Sequence, residues 1–181
     1  MADVSEMDWS HYLLARQHIT DFRCEWASEL VGSKVLEIGP GIDAWPEAHT
    51  LGLDAACTYQ RDITKHTGLP GSTYDVVIAM EVLEHTTDPF LGVREIRRLL
   101  KNGGLLLASA PWNFRIHGPI PDCWRFSEHG WKVLLKDFDA VRIDALKTPG
   151  RFLMPIHYNV SARCDKDKAM CARDIEFRVI T

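Results

Sequence analysis

Val35-Leu36-Glu37-Ile38-Gly39-Pro40-Gly41 is the stretch whose reading decides the fold. An apolar run carrying one carboxylate breaks at two glycines that flank a proline. Val35 and Ile38 are β-branched and suit a strand. A turn without Cβ atoms at its end lets the backbone approach a ligand closely. In an open α/β sheet such a turn belongs at the carboxyl edge of the strands, beside the point where strand order reverses.

Outward from that turn, acidic residues recur at strand ends. Asp54 closes Thr50-Leu51-Gly52-Leu53-Asp54, Asp62 precedes Ile63, and the apolar run Tyr74–Met80 leads into Glu81-Val82-Leu83-Glu84-His85. The spacing of Ala15, Ile19, Phe22, Trp26 and Leu30 predicts an amphipathic helix over residues 10–31, which Gly32 ends with a left-handed cap. Strands are expected at 34–38, 50–54, 58–61, 74–80, 104–110, 141–146 and 175–180. Asp88-Pro89 starts a helix through Phe90, Val93, Ile96 and Leu100, with Asn102-Gly103 as its stop. Residues 111–126 form a proline-rich loop, and Ser127 caps a helix carrying Trp131, Leu134 and Leu135. Residues 147–174, with Pro149-Gly150, Met154-Pro155, His157 and Tyr158, receive no assignment. This alternation predicts an α/β, Rossmann-like seven-stranded, mostly parallel sheet with helices on both faces, as a single domain over 1–181.

Gly39-Pro40-Gly41-Ile42-Asp43-Ala44 also satisfies the Gly-x-Gly-x-x-Gly/Ala nicotinamide fingerprint. That fingerprint rests a pyrophosphate on the N-terminus of a continuous helix. Pro46 falls where such a helix should propagate, and Asp54 follows closely, so the helix is short or absent. A ligand without phosphates tolerates that better than a dinucleotide does.

Composition narrows the classes. Of the 181 residues, 46% are hydrophobic and 25% charged, as in an ordinary globular domain and unlike a disordered chain. A formal charge of −4 offers no general attraction to nucleic acid. Five cysteines, an odd number without a Cys-x-x-Cys pair, argue against a disulfide framework or structural zinc and suit a reducing compartment. Residues 1–6 lack the basic and apolar regions of a signal peptide, and no apolar run approaches the ~20 residues of a membrane span. The expected location is the cytoplasm.

The ordered set formed by the glycine turn, Asp54, Asp62 and the run 74–85 resembles the class I S-adenosylmethionine-dependent methyltransferases over residues 34–136. The resemblance implies S-adenosyl-L-methionine as cofactor, with Gly39, Pro40 and Gly41 against it. Glu37 either orders the glycine loop through backbone N–H groups or answers the cofactor's ammonium. Asp54 is suited to two charge-assisted hydrogen bonds from vicinal ribose hydroxyls. Asp62 resembles the position that takes the adenine amino group, with Ile63 near the base; a capping role is its alternative. Met80 and Glu81 resemble the lining of the methionine end. The resemblance also implies an antiparallel final strand and an N-terminal segment, here 1–31 with Trp9, His11 and Tyr12, that covers the cofactor side.

Two further segments point at the acceptor. Glu81-Val-Leu-Glu84-His85 resembles a Glu-x-x-x-His run of small-molecule and glycan methyltransferases, with His85 as either a base or a buttress of the turn. No metal is assigned, since the spacing of Glu81, Glu84 and His85 fits no zinc pattern. His117-Gly-Pro-Ile-Pro-Asp122-Cys123-Trp124-Arg125-Phe126-Ser127 resembles the His…Pro-x-Asp-Tyr-Trp-Arg-Phe-Thr loop of a glycan-associated subgroup, with Cys123 for Tyr and Ser127 for Thr. Asp122, Trp124 and Arg125 are the substrate candidates: flat apolar area and a rigid guanidinium suit a ring face and an anionic group. In the alternative, Trp124 packs the loop down and Arg125 pairs with Asp122. His117 is the leading base candidate.

The expected function is O-methylation of a sugar, glycan precursor or other small metabolite. A nucleotide or RNA methyltransferase is disfavoured by the charge balance and by Met80-Glu81-Val82-Leu83 standing where an Asn/Asp-Pro-Pro-Tyr/Phe site would be. A non-catalytic scaffold that binds S-adenosylmethionine is the reading from another class.

Overall fold

The computed structural model describes residues 4–41, 44–118, 121–148, 151–167 and 175–181. Ile42 and Asp43 of the fingerprint, Pro149-Gly150 and Cys171 lie outside them. The elements are α1 (Val4–Glu25), α2 (Ala27–Leu30), β1 (Val35–Ile38), β2 (His49–Gly52), β3 (Tyr59–Gln60), β4 (Tyr74–Met80), a 3₁₀ turn (Leu83–His85), α3 (Pro89–Leu99), β5 (Leu100–Pro111), α4 (Glu128–Leu134), β6 (Asp139–Thr148), β7 (Arg151–Arg163) and β8 (Ile175–Ile180).

The strands form one 8-stranded sheet in the order β3-β2-β1-β4-β5-β7-β6-β8. β7 runs antiparallel to β5 and β6, and the other described neighbours pair in parallel. The expectation of seven strands is therefore corrected to eight. The antiparallel strand is β7, inside the segment left unassigned, and not the final strand. β8 instead adds in parallel to the edge at β6. A period of two was present in that segment. Ile156, Tyr158, Val160 and Ala162 belong to the apolar core, while His157, Asn159 and Ser161 alternate with them, buried as well. A polar set buried on a central strand weakens the apolar signal from which strands are read.

Each sheet face carries its own core. Val77 and Ala79 of β4 and Leu106 and Ala108 of β5 join α3 and α4 through Val93, Ile96, Leu99, Trp131 and Leu134. Their alternates Val76, Ile78, Leu105 and Leu107 pack with Phe22 of α1 and Leu30 of α2. Helices on both faces thus follow from the pleat, which sends successive side chains to opposite sides.

The predicted helix over 10–31 is two helices, α1 and α2, that meet at Trp26. Gly32, at φ +76°, makes the left-handed turn into β1. Asp88 accepts a hydrogen bond from Leu91 N at 3.0 Å and caps α3, with Pro89 in its first turn. That helix stops at Leu99, before Asn102-Gly103, because fully buried Leu100 already pairs with Tyr74 as the start of β5. Ser127 caps α4 by accepting from Gly130 N at 3.2 Å. Among the described residues no helix links β1 to β2, in keeping with Pro46. None of the helices among the described residues is long and apolar enough to cross a membrane.

Candidate active site

From β1 the chain steps outward to β2 and β3, then returns to place β4 on the other flank of β1. Strand order reverses between β1 and β4, and ligands of open α/β sheets settle outside the carboxyl ends at such a point. Gly39-Pro40-Gly41 lies at that end of β1. Gly39 takes φ +59° and donates its N–H to Leu51 O at 2.8 Å. A Cβ there would stand 2.7 Å from Val82 Cγ2, so both the turn and the packing against the β4 loop require glycine. A Cβ on Gly41 would meet nothing within 4 Å.

Glu37 is buried. Its Oε2 accepts from Trp45 N at 2.5 Å and lies 3.6 Å from Arg23 Nη2. The carboxylate therefore holds the chain just beyond the glycine turn. Asp54 lies past the end of β2 and is exposed; Oδ1 accepts from Ala56 N at 2.8 Å, and among the described residues Oδ2 has no hydrogen-bond partner. Gly52, two residues earlier, packs beside Pro40 and Gly39. Asp62 Oδ1 accepts from Thr64 N at 2.9 Å and Thr64 Oγ1 at 2.7 Å. Burial opposes its charge, but those hydrogen bonds and Lys65 outweigh it and hold the carboxyl below its ordinary range. Ile63 is buried in the core beside Gly92.

Met80 ends β4 against Ser109 of β5. Glu81 follows with φ +55°, a conformation that few side chains adopt. Its N–H donates to Ser109 O at 3.2 Å. Its Oε1 accepts from Ser109 Oγ at 2.9 Å and from His157 Nε2 at 2.6 Å. Burial raises the Glu81 carboxyl, yet the opposing charge and hydrogen bond of His157 prevail and bring it below its ordinary range. His157 and Ser109 are residues that sequence reasoning missed.

The loop after β5 is fastened to the 3₁₀ turn after β4. Glu84 O accepts from Cys123 N at 2.7 Å and Trp124 N at 3.2 Å. Trp124 Nε1 donates to Thr86 O at 2.9 Å, and His85 Nδ1 lies 3.0 Å from Pro121 O. Asp122, its side chain fully enclosed, takes Arg125 Nη1 and Nη2 at 2.5 and 2.8 Å, and His117 N at 2.9 Å. Its other neighbour is His117 Nδ1, at 3.1 Å. The Arg125 hydrogen bonds, ahead of the contrary effect of burial, hold the Asp122 carboxyl far below the carboxylate range. Arg125 Nη2 also donates to Arg115 O at 3.0 Å. Trp124 stacks on Phe126 with ring centroids 6.2 Å apart. Asp122, Trp124 and Arg125 thus hold the loop in place, and in doing so bring His117 to His85, ring centroids 4.9 Å apart.

Aromatic rings continue from this pair to α1. Phe114 lies 5.1 Å from the His117 ring, Tyr12 lies 6.5 Å from Phe114, and Trp9 stacks on Tyr12 at 5.3 Å. The predicted residues therefore fall into three groups. Glu37, Gly39, Pro40, Gly41 and Asp54 flank the ends of β1 and β2; Met80 and Glu81 end β4; His85, His117, Asp122, Trp124 and Arg125 share one loop assembly. Asp62 and Ile63 stand apart, in their own turn and in the core.

Comparison with known proteins bears on the fold. The family model described as a methyltransferase domain matches residues 26–108. The ubiquinone biosynthesis O-methyltransferase of Vibrio parahaemolyticus is 34% identical over 104 residues, 44% of each chain. That of Cereibacter sphaeroides is 39% identical over 101 residues, 43% of this chain and 41% of the relative. The chain thus spans less than half the length of these curated relatives. Among solved structures, a SAM-dependent methyltransferase from Archaeoglobus fulgidus superposes with a TM-score of 0.62 at 14% identity, over 82% of this chain and 94% of that one. The trans-methyltransferase CalH, in complex with SAH, gives 0.58 at 20% identity, over 74% and 51%. The fold is that of these solved methyltransferases, and residues 26–108 match the family model of a methyltransferase domain.

Proposed function

We propose that this chain is an S-adenosyl-L-methionine-dependent methyltransferase that methylates a hydroxyl group of a small molecule, with sugars and glycan precursors the favoured class. The observation that carries the reading is the open turn Gly39-Pro40-Gly41 at the reversal of strand order, flanked by the outward Asp54 carboxylate and the anchored Glu81. Asp54 offers Oδ2 to the ribose hydroxyls. Gly41 leaves room for the ligand, and Met80 and Glu81 close the far side. Asp62 and Ile63 complete the adenine side only if their turn reopens, so they are the weakest members of the set. The absence of a described helix after the turn favours a ligand without phosphates over a nicotinamide dinucleotide.

Bound there, S-adenosylmethionine supplies a methyl group already activated on a sulfonium. What is left for the protein is alignment, which contributes up to roughly 7–11 kcal/mol in favourable cases. A positioned base adds about 10²–10⁴-fold for a hydroxyl acceptor. His117 and His85 suit that task. Asp122 and Pro121 O hold their Nδ1 atoms, which fixes each ring and leaves Nε2 to take a proton. That the curated relatives are named O-methyltransferases supports an oxygen acceptor. The ring series Trp9–Tyr12–Phe114–His117 supports residues 1–31 as the cover of this side of one domain.

Calorimetric titration with S-adenosylhomocysteine, with NADH as control, tests the reading on wild type and Asp54→Ala. Micromolar binding that weakens at least tenfold in Asp54→Ala, with no NADH binding, is expected. NADH binding without S-adenosylhomocysteine binding overturns the reading. Cofactor binding without methyl transfer to any acceptor in a hydroxyl-compound screen would leave the scaffold reading in its place.

A further inference from the structure

We infer that Glu84, His85 and His117 form a binding site for a divalent transition-metal ion. Their ligand atoms, one from each residue, all lie within 4.8 Å of one another. Glu84 Oε1 stands 3.8 Å from His85 Nε2. The Glu84 side chain is 0% exposed, and neither carboxylate oxygen has a hydrogen-bond partner among the described residues. A buried carboxyl with nothing to bond costs stability, commonly about 1–3 kcal/mol or more. A cation between the three side chains removes that cost.

The surroundings match what metal-binding imidazoles require. Such a histidine presents one nitrogen to the ion and donates the other N–H to a carboxylate or backbone carbonyl. His117 Nδ1 has the Asp122 carboxylate at 3.1 Å, and His85 Nδ1 has Pro121 O at 3.0 Å. In both rings Nε2 is left for the ion. Asp122 is itself fixed by Arg125, so this orienting layer is rigid. The sequence conceals the set, because His117 arrives from a different loop and local spacing around Glu84-His85 shows only two of the three ligands.

Two imidazoles and one carboxylate suit Zn²⁺ or Fe²⁺ and leave at least one position open, whereas Mg²⁺ takes oxygen donors and holds its water. Ligands at about 2.0–2.2 Å from a tetrahedral ion lie roughly 3.3–3.6 Å apart. The side chains therefore close by an ångström or so on binding. An ion would take the Nε2 atoms that otherwise serve as bases, so metal occupancy and proton abstraction by these two histidines are alternatives; the binding itself does not rest on the methyltransferase reading.

Metal-stripped full-length protein, titrated with Zn²⁺ by calorimetry and checked by elemental analysis after dialysis, tests the site. The expected result is one Zn²⁺ per chain at micromolar Kd or tighter, with no displacement by millimolar Mg²⁺. The isosteric Glu84→Gln and the loop variant His117→Asn should each weaken it at least tenfold while keeping the wild-type circular dichroism spectrum. An S-adenosylhomocysteine titration of the same samples reports separately on the cofactor site. Failure to retain Zn²⁺, or retention that both variants leave unchanged, as capture by the exposed thiols of Cys24 and Cys123 would give, overturns the assignment.

Discussion

Glu81 and His157, 76 residues apart in the chain, meet in a 2.6 Å hydrogen bond from Nε2–H to Oε1. The bond ties the end of β4 to the antiparallel strand β7 across Ser109 of β5, whose hydroxyl reaches the same oxygen at 2.9 Å. It also fixes Glu81 at φ +55°, where a non-glycine residue is held only if its surroundings determine it. His157→Ala strips the carboxylate of this partner and opens a cavity in a fully buried position. Urea unfolding should show a loss of about 2–4 kcal/mol. S-adenosylhomocysteine binding should also weaken, since the end of β4 is no longer held. A loss below 0.5 kcal/mol would count against the role given to this bond.

Gly39 and Gly41 separate two reasons for glycine. Gly39→Ala places a methyl group 2.7 Å from Val82 Cγ2 in a left-handed backbone and should destabilise the protein by about 1–3 kcal/mol. Adding Val82→Ala should return part of that loss by relieving the clash, but not the backbone part. Gly41→Ala meets open space and should leave stability within about 0.5 kcal/mol while weakening S-adenosylhomocysteine at least tenfold. Thermal melts paired with calorimetry check both, and the pattern fails if Gly41→Ala binds like wild type.

How far the sequence discloses this architecture depends on where the signal is local. The glycine turn, the caps at Asp88 and Ser127, and the missing helix at Pro46 are short-range effects and were readable. β7 was not. Its polar alternates His157, Asn159 and Ser161 are buried by neighbours on both sides, and Asn159 Nδ2 donates to His18 O at 3.0 Å, a partner supplied by α1. The site divides in the same way. Single residues at strand ends could be named, but the meeting of His117 with Glu84 and of Glu81 with His157 depends on tertiary contacts that no spacing encodes.

His18 gives the stability a pH dependence near neutrality. Burial, then the charge of neighbouring His157, lowers its pKa from 6.5 to about 4, with Arg142 acting in the same sense and Asp21 against. The unfolded chain therefore binds more protons than the folded one between these values. Stability is complete above pH 6.5 and falls as pH drops toward 4. The full difference is about 2–3 kcal/mol. Guanidinium midpoints compared at pH 7 and 5 should fall in wild type and fall less in His18→Gln; equal slopes would contradict this.

A second window opens at lower pH. Burial works against the charge of Glu95, but Arg98 and Thr67 outweigh it and bring the pKa from 4.5 to about 2. Glu95 Oε1 takes Thr67 N at 2.8 Å and Thr67 Oγ1 at 2.6 Å, which fastens the chain before β4 to α3. With the folded pKa depressed, this contribution is present above pH 4.5 and disappears as pH falls through 2. Acid titration should lower stability by about 2 kcal/mol across that interval in wild type. Glu95→Gln should lose most of this slope and start from a lower stability at pH 7.

Arg125 separates holding the loop from binding the substrate. Its guanidinium takes both Asp122 oxygens as a fork and the carbonyl of Arg115, so the group is spent on the loop. Lysine keeps the charge but cannot reproduce a two-pronged contact. Arg125→Lys should therefore free Asp122, let His117 turn, and lower kcat at least tenfold with any accepted substrate. S-adenosylhomocysteine affinity should stay within twofold, because the glycine turn and Asp54 belong to other strands. If Arg125 instead grips an anionic group of the acceptor, KM rises while kcat holds, and an uncharged acceptor escapes the effect. Steady-state kinetics on one charged and one neutral acceptor distinguish these outcomes.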